Sequence, residues 1–319
     1  MHFSFSSCSA PFHFLRLARA IVAGALGMVA LPGALQAQSD DFNDGDDAGW
    51  TRYDPIASAV GGIPQNTWSF PDGGYRLQAS PTPGAALGPG RAGSLRQDVT
   101  YSDFYVTADL VKWDANRTNA YGLVARVQPA LVLGQTSGYI FGYVSGDHYL
   151  AIIRIDGERT RSIPGSPPVL LRLDTNQTYR LTFTGRGARL TGRVFTPDDP
   201  FNPVAVLTAS DSRYAQGTAG LLAFAVNAGT FGPMDVTFDN YTATDREPPR
   251  LAASLSIFGE LSVSWPVFEG EGFTLQCTGS LGAPVVWTDV TANINVLGDQ
   301  NVYDAGSPGV NKFYRLKKM

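Results

Sequence analysis

The chain has 319 residues, 24 Lys+Arg against 28 Asp+Glu, a formal charge of −4 and 44% apolar residues. That length holds one large or two ordinary domains, and the apolar share can fill real cores, so a disordered or collagen-like chain is excluded. The acidic balance offers no basic footprint for nucleic acid, and three His, two Cys and five Glu leave much metal and nucleophile chemistry short of parts.

Residues 1–37 begin with Arg16 and Arg19 in an otherwise uncharged stretch, continue with an apolar run from Ile21 to Leu31, and end in Ala34-Leu-Gln-Ala37. A basic start, an apolar middle and small residues before an acidic opening read as a cleaved secretory signal. The run is shorter than the roughly 18 to 20 residues needed to span a bilayer, and Pro32-Gly33 interrupts it, so no membrane span is expected after cleavage. The expected location is outside the cell, in a periplasm or on a cell surface. Loss of Arg16 and Arg19 leaves 22 basic against 28 acidic groups, a charge of −6, with His148 and Cys277 as the remaining His and Cys. An intramolecular disulfide and a His-based zinc site are excluded by count, so stability is expected from core burial or bound ions.

From there the periodicity is two. Phe104 to Trp113 alternates, with Phe104, Val106, Ala108 and Leu110 on one face and Tyr105, Thr107, Asp109, Val111 and Trp113 on the other. Further strands are predicted over Tyr121 to Val127, Gly138 to Val144, Tyr149 to Ile155, Tyr179 to Thr184, Arg189 to Phe195, Val204 to Leu207, Gly220 to Val226 and Met234 to Tyr241. Turn signals such as Asp156-Gly157 and Gly185-Arg-Gly187 separate them. No segment of 11 or more residues beyond the signal carries a helical period, so a two-sheet antiparallel sandwich is expected. Asp245-Arg-Glu-Pro-Pro249 breaks the pattern and reads as a stiff linker. Beyond it, strands are predicted over Leu251 to Phe258, Leu261 to Val267, Phe273 to Thr278, Val285 to Val290 and Lys312 to Leu316. The expected organisation is a signal at 1–37, a sandwich domain at 38–246 and a small β-sandwich, Ig-like or fibronectin-like, at 247–319.

Several short patterns carry a family resemblance. Asp41-Phe-Asn-Asp-Gly45 with Gly49-Trp50, Trp68 with Gly74-Tyr-Arg-Leu77, Asp103-Phe-Tyr-Val-Thr-Ala-Asp109, Gly122-Leu-Val-Ala-Arg126, Gly217-Thr-Ala-Gly-Leu221 and Phe238-Asp-Asn240 span roughly residues 39–246. Together they resemble the concanavalin A-like lectin/glucanase superfamily, in particular its LamG-like and 3-keto-disaccharide hydrolase branches. The tail, with Ser264-Trp265, Gly272-Phe-Thr-Leu-Gln276, Trp287 and Phe313-Tyr-Arg-Leu316, is similar to C-terminal modules of secreted proteins from Verrucomicrobia-type bacteria. The resemblance implies an all-β jelly roll.

It also implies a test for catalysis. Retaining glucanases of the superfamily carry a Glu-x-Asp-x-x-Glu pattern that sets two carboxylates about 5 Å apart. Between residues 38 and 246 the only Glu is Glu158, in the turn Asp156-Gly-Glu-Arg159, and that pattern is absent. Sugar recognition needs less: aromatic faces that stack on a pyranose, plus a few fixed polar groups. Candidates are Tyr105, Asp109 and Trp113 on one strand face, Arg126, the stripe Tyr139, Phe141 and Tyr143, and His148 at the next turn. Each has a structural alternative: Asp109 as a solvated side chain, the aromatic stripe as sandwich core, Arg126 in a surface salt bridge, His148 as an exposed turn residue. One face of Tyr139–Tyr143 must be core, and the sequence alone does not say which.

The acidic opening Asp40 to Asp47 supplies hard oxygen donors of the kind Ca²⁺ prefers. In jelly rolls of the resembled type the first and last strands lie side by side, which implies a structural Ca²⁺ held by Asp41, Asn43 and Asp239. The functional expectation is a secreted, non-catalytic sandwich that binds a glycan or cell-surface polysaccharide. The alternatives are a glycoside hydrolase or lyase acting on a modified (3-keto) disaccharide, and a structural envelope or matrix protein.

Overall fold

The structure is a computed structural model that describes residues 37–80, 87–115, 118–128, 132–225, 234–307 and 311–319. Of the predicted signal, residues 1–36 lie outside the described residues. No helix among the described residues is long and apolar enough to cross a membrane.

The larger part is an antiparallel two-sheet sandwich of the jelly-roll kind. In chain order its strands are β1 (Ala37–Asp40), β2 (Thr51–Tyr53), β3 (Thr67–Ser69), β4 (Tyr75–Ala79), β5 (Arg91–Tyr101), β6 (Phe104–Trp113), β7 (Asn119–Val127), β8 (Gly138–Val144), β9 (Tyr149–Asp156), β10 (Arg159–Ser162), β11 (Val169–Leu170), β12 (Tyr179–Arg186), β13 (Arg189–Phe195), β14 (Ala205–Ser210), β15 (Gly217–Ala225) and β16 (Met234–Thr244). The first sheet runs β14-β13-β12-β6-β16-β4-β3, with β1 also paired to β16; the second runs β10-β9-β8-β7-β15-β5-β2, with β11 beside β9. First and last strands therefore do lie side by side: Asp40 pairs with Tyr241 and Ala37 with Thr244.

Between the sheets lies an aromatic core. Tyr139, Phe141 and Tyr143 are fully buried, and the contacts of Phe141 and Tyr143 with Phe183 and Trp113 of the opposite sheet make theirs the inward face of β8. Phe141 meets Phe183 of the opposite sheet at 6.0 Å between ring centroids. Gly192 makes that possible, because a Cβ there would stand 2.3 Å from the Phe141 ring. Tyr75 crosses the core to join the sheets by its hydroxyl, 2.7 Å from both Asp47 Oδ2 and Ser94 Oγ.

Two departures from simple alternation position the functional groups. Between β6 and β16 the register shifts twice: Val236 opposes Trp113 and Thr237 opposes Lys112, but Phe238 opposes Leu110, and farther along Asp239 opposes Asp109 while Thr242 opposes Thr107. The first shift leaves Val111 as an extra residue on β6, the second leaves an extra residue at Asn240, whose φ is +51°. Each bulge reverses which face the following side chains take.

The remaining strands, β17 (Ala252–Leu255), β18 (Leu261–Pro266), β19 (Phe273–Thr278), β20 (Thr288–Asp289), β21 (Ile294–Leu297), β22 (Gln300–Gly306) and β23 (Phe313–Lys318), form a four-stranded sheet in the order β17-β18-β22-β21 and a three-stranded sheet β20-β19-β23. They close on a small core of Val263, Trp265 and Leu275. Arg246 in the connecting segment donates to Glu271 Oε2 at 2.8 Å and to the Phe268 carbonyl at 3.1 Å.

Candidate ligand-binding site

On the outer face of the first sheet, β6 presents Tyr105, Thr107 and Asp109 as the alternation predicts. Trp113 does not join them. The bulge at Val111 turns it to the opposite face, where it is 6% exposed and packs edge-on against Tyr143 at 6.0 Å and Tyr179 at 6.2 Å. A buried indole offers no face to a sugar, so Trp113 is core. Tyr143 is core as well; its hydroxyl lies 3.2 Å from His148 Nδ1 and accepts from the Leu173 amide at 3.3 Å. His148 occupies the β8–β9 turn with φ +52°.

Arg126 is a further correction. It sits at a bulge where β15 shifts register against β7, with φ +50° and 2% exposure. Its Nε donates to the Ser102 carbonyl at 2.8 Å and its Nη1 to the Tyr214 carbonyl at 3.2 Å, while the guanidinium stacks 5.3 Å over Phe104. Burial pushes its pKa down. A cation so enclosed straps loops together; its Nη2 also lies 3.9 Å from the carboxylate of the partly exposed Asp103, so the ion pair with an Asp is present, but made from a buried guanidinium away from the Asp109 face.

What surrounds Asp109 was not singled out from the sequence. Its carboxylate receives both arms of Arg180, Nε at 2.7 Å and Nη2 at 2.8 Å, and Asn240 Nδ2 at 3.0 Å. Arg180 stands directly opposite Asp109 on β12, and the left-handed backbone of Asn240 sets its amide across the bulge. Asn and Asp adopt that conformation more readily than other side-chain-bearing residues. Arg180 and Asn240 also line a cavity of about 630 Å³, together with Ser39, Asp40, Asp41, Asp44, Ala48, Arg96, Thr107, Tyr241 and Thr242. Asp109 thus lies beneath the cavity and holds two of its walls. Tyr105 remains on the same face, 9% exposed and outside the lining.

The acidic opening borders this cavity. Asp40 accepts from the Trp50 indole at 2.7 Å and from the Phe42 amide at 2.8 Å, and Arg96 stacks 5.6 Å over Trp50. Asp41 accepts from the Asn43 amide at 3.3 Å, and hydrogen bonds from Asn43 lower its pKa. Asp239 responds to burial and to the charges of Asp109 and Asp41, which raise its pKa against the hydrogen bond from the Asn240 amide. Among the described residues no group of three or more His, Cys, Asp or Glu converges on a point where a metal ion would sit.

No family model matches the chain, and a search of curated proteins returned no match. Among solved structures, the chain is similar to a carbohydrate-binding module from Bacillus subtilis, at 19% identity and TM-score 0.43, over 61% of this chain and 95% of that one. It is similar to a β-1,3-1,4-glucanase (lichenase) derived from a mouse hindgut metagenome, at 12% identity and TM-score 0.45, over 66% and 98%. It is also similar to lectin II from Ulex europaeus, at 14% identity and TM-score 0.41, over 66% and 97%.

Proposed function

We propose that the chain binds carbohydrate in the polar cavity on the outer face of the first sheet. One observation carries the reading: Asp109, Arg180 and Asn240 form a locked unit under a cavity whose walls alternate donors and acceptors. A pyranose presents hydroxyls that both donate and accept. Arg96, Arg180 and Asn240 can donate, Asp40, Asp41 and Asp44 can accept, and Ser39, Thr107 and Thr242 can do either. The volume lies in the range of small-molecule sites. Carboxylates outnumber guanidinium groups in the lining, which favours neutral or amino sugars over polyanionic chains. Export by the segment 1–37 belongs to the same proposal, since an extracellular polysaccharide is met only outside the cell.

A glycan array tests it, followed by titration of any hit into two variants. Asn240→Gly keeps a backbone that tolerates positive φ and removes one amide; Arg180→Ala removes the fork. Binding is expected to fall about 10- to 100-fold in Arg180→Ala, the worth of a charge-assisted hydrogen bond, and less in Asn240→Gly. No glycan bound, or equal binding in both variants, would remove the assignment.

We also propose a Ca²⁺ at the edge of this cavity, held by Asp41, Asn43 and Asp239 with water completing its shell. Hard oxygen donors suit Ca²⁺, and a cation would relieve the crowding of negative charge that raises the Asp239 pKa. At a hundredfold excess over Kd such an ion stabilises the fold by about 2.7 kcal/mol, roughly 5 to 10 °C in Tm for a domain of this size. EGTA should lower the melt by that amount, Ca²⁺ should restore it, and Asp239→Ala should melt alike in both. An unchanged melt in EGTA with no metal by elemental analysis would leave the opening as a set of self-capped turns.

A further inference from the structure

The outer face of the second sheet carries a different chemistry. With Tyr139, Phe141 and Tyr143 turned inward, Ile140 faces out, and its cross-strand partner Val124 shares that face. So do Leu222 and Phe224, which oppose Gly122 and Ala120 on β7. These four side chains line a pocket with about 50 Å³ of internal space. A water needs only about 10–15 Å³ on that scale, so a few non-hydrogen atoms fit. Along these four side chains water is poorly served, because it needs two to four polar partners and the polar lining residues, Tyr53, Arg91, Thr136, Glu158 and Thr160, lie elsewhere in the wall.

One end of the pocket is polar. Arg91, Glu158 and Tyr53 meet there: Arg91 Nη2 and the Tyr53 hydroxyl both donate to the Glu158 carboxylate, and the Gly134 amide adds a third bond at 2.9 Å. Arg91 Nη1 donates to the Pro89 carbonyl at 2.7 Å and the Leu87 carbonyl at 3.2 Å. Its Nε–H is buried and has no partner, although the residue is only 8% exposed. Buried donors are almost always paired. Glu158 already balances the guanidinium charge, so what Arg91 lacks is an acceptor, not an anion.

We propose that this pocket binds the short aliphatic end of a neutral molecule bearing one hydrogen-bond-accepting oxygen, with that oxygen on Arg91 Nε–H and the carbon chain against Ile140, Val124, Leu222 and Phe224. A carboxylate would be held close to the Glu158 carboxylate in an apolar site, and an ammonium would bring a donor where an acceptor is required. The site is separate from the proposed sugar cavity and does not depend on it.

The test uses the full chain with methyl-labelled Ile, Leu and Val, titrated with 2-pentanone, butyrate and butylammonium. Saturable shifts of the Ile140, Val124 and Leu222 methyl signals are expected with the ketone, and at least tenfold weaker binding of the two ions. Leu222→Trp, which fills the pocket, should abolish the shifts of the remaining methyls while the protein still melts cooperatively. Arg91→Lys should weaken ketone binding about tenfold, the worth of one hydrogen bond; if that variant does not fold, the ligand series and Leu222→Trp still decide. No saturable shift, butyrate binding as well as the ketone, or ketone binding retained in Leu222→Trp would each overturn the proposal. Glycan binding measured alongside reports the other cavity independently.

Discussion

Glu158→Ala is expected to lose about 3–5 kcal/mol of unfolding free energy, read from the shift of the denaturant midpoint at constant slope. The carboxylate and its Arg91 partner are 7% and 9% exposed at their side chains. Removing one member of a buried pair leaves the other charge without a partner in a poor solvent, and that uncompensated cation is the main cost. Tyr53 and the Gly134 amide lose their acceptor in the same step. The residue also joins distant parts of the chain. Glu158 sits in the two-residue turn between β9 and β10, with φ +64° after Gly157 at +55°, while Arg91 lies 67 positions earlier at the start of β5. Positive φ at both turn residues is the hairpin geometry whose twist matches the flanking strands; the same turn aims the side chain at the opposite edge of the sheet. Replacing both partners, Arg91→Leu with Glu158→Leu, is expected to recover most of the loss, because an apolar pair of similar volume often matches a buried ion pair. A single-variant cost below about 1 kcal/mol would mean that the pair is effectively solvated.

Trp113→Ala is expected to cost a similar amount, about 3–5 kcal/mol, through the lost burial and the cavity left between Tyr143 and Tyr179. Glycan affinity, by contrast, should be unchanged. That combination separates the core position from the exposed stacking platform that strict alternation along β6 predicts. A variant of wild-type stability that no longer binds glycan would restore Trp113 to the ligand face.

The two cases mark where sequence reasoning stops. Alternation and turn residues are local, and they placed β6, β8, β13 and β19 at their observed bounds, together with the Asp156-Gly157 hairpin. They did not reveal β5, whose Arg91-Ala-Gly-Ser-Leu-Arg-Gln-Asp stretch fills its inward positions with the small residues Ala92 and Ser94. Nor did they reveal β22, since a strand over so small a core buries little and reads as polar.

By itself the sequence determined the all-β class, the sandwich, the missing glucanase carboxylate pattern and the single cysteine beyond residue 37, because residue types, counts and a period of two are properties of the chain alone. Only the tertiary structure decided that Tyr139, Phe141 and Tyr143 point inward, that Trp113 turns away from Asp109, and that Arg126 straps loops together. It alone joined Asp109 to Arg180 and Asn240, 71 and 131 positions away, and Glu158 to Arg91. For Trp113, Arg126 and the paired charges the physical reason is shared: a bulge is a mismatch between two strands, and a buried charge is placed by a partner distant in sequence, so neither leaves a periodic trace in the segment that carries it. β8 instead buries both of its faces, so its own pattern does not choose between them.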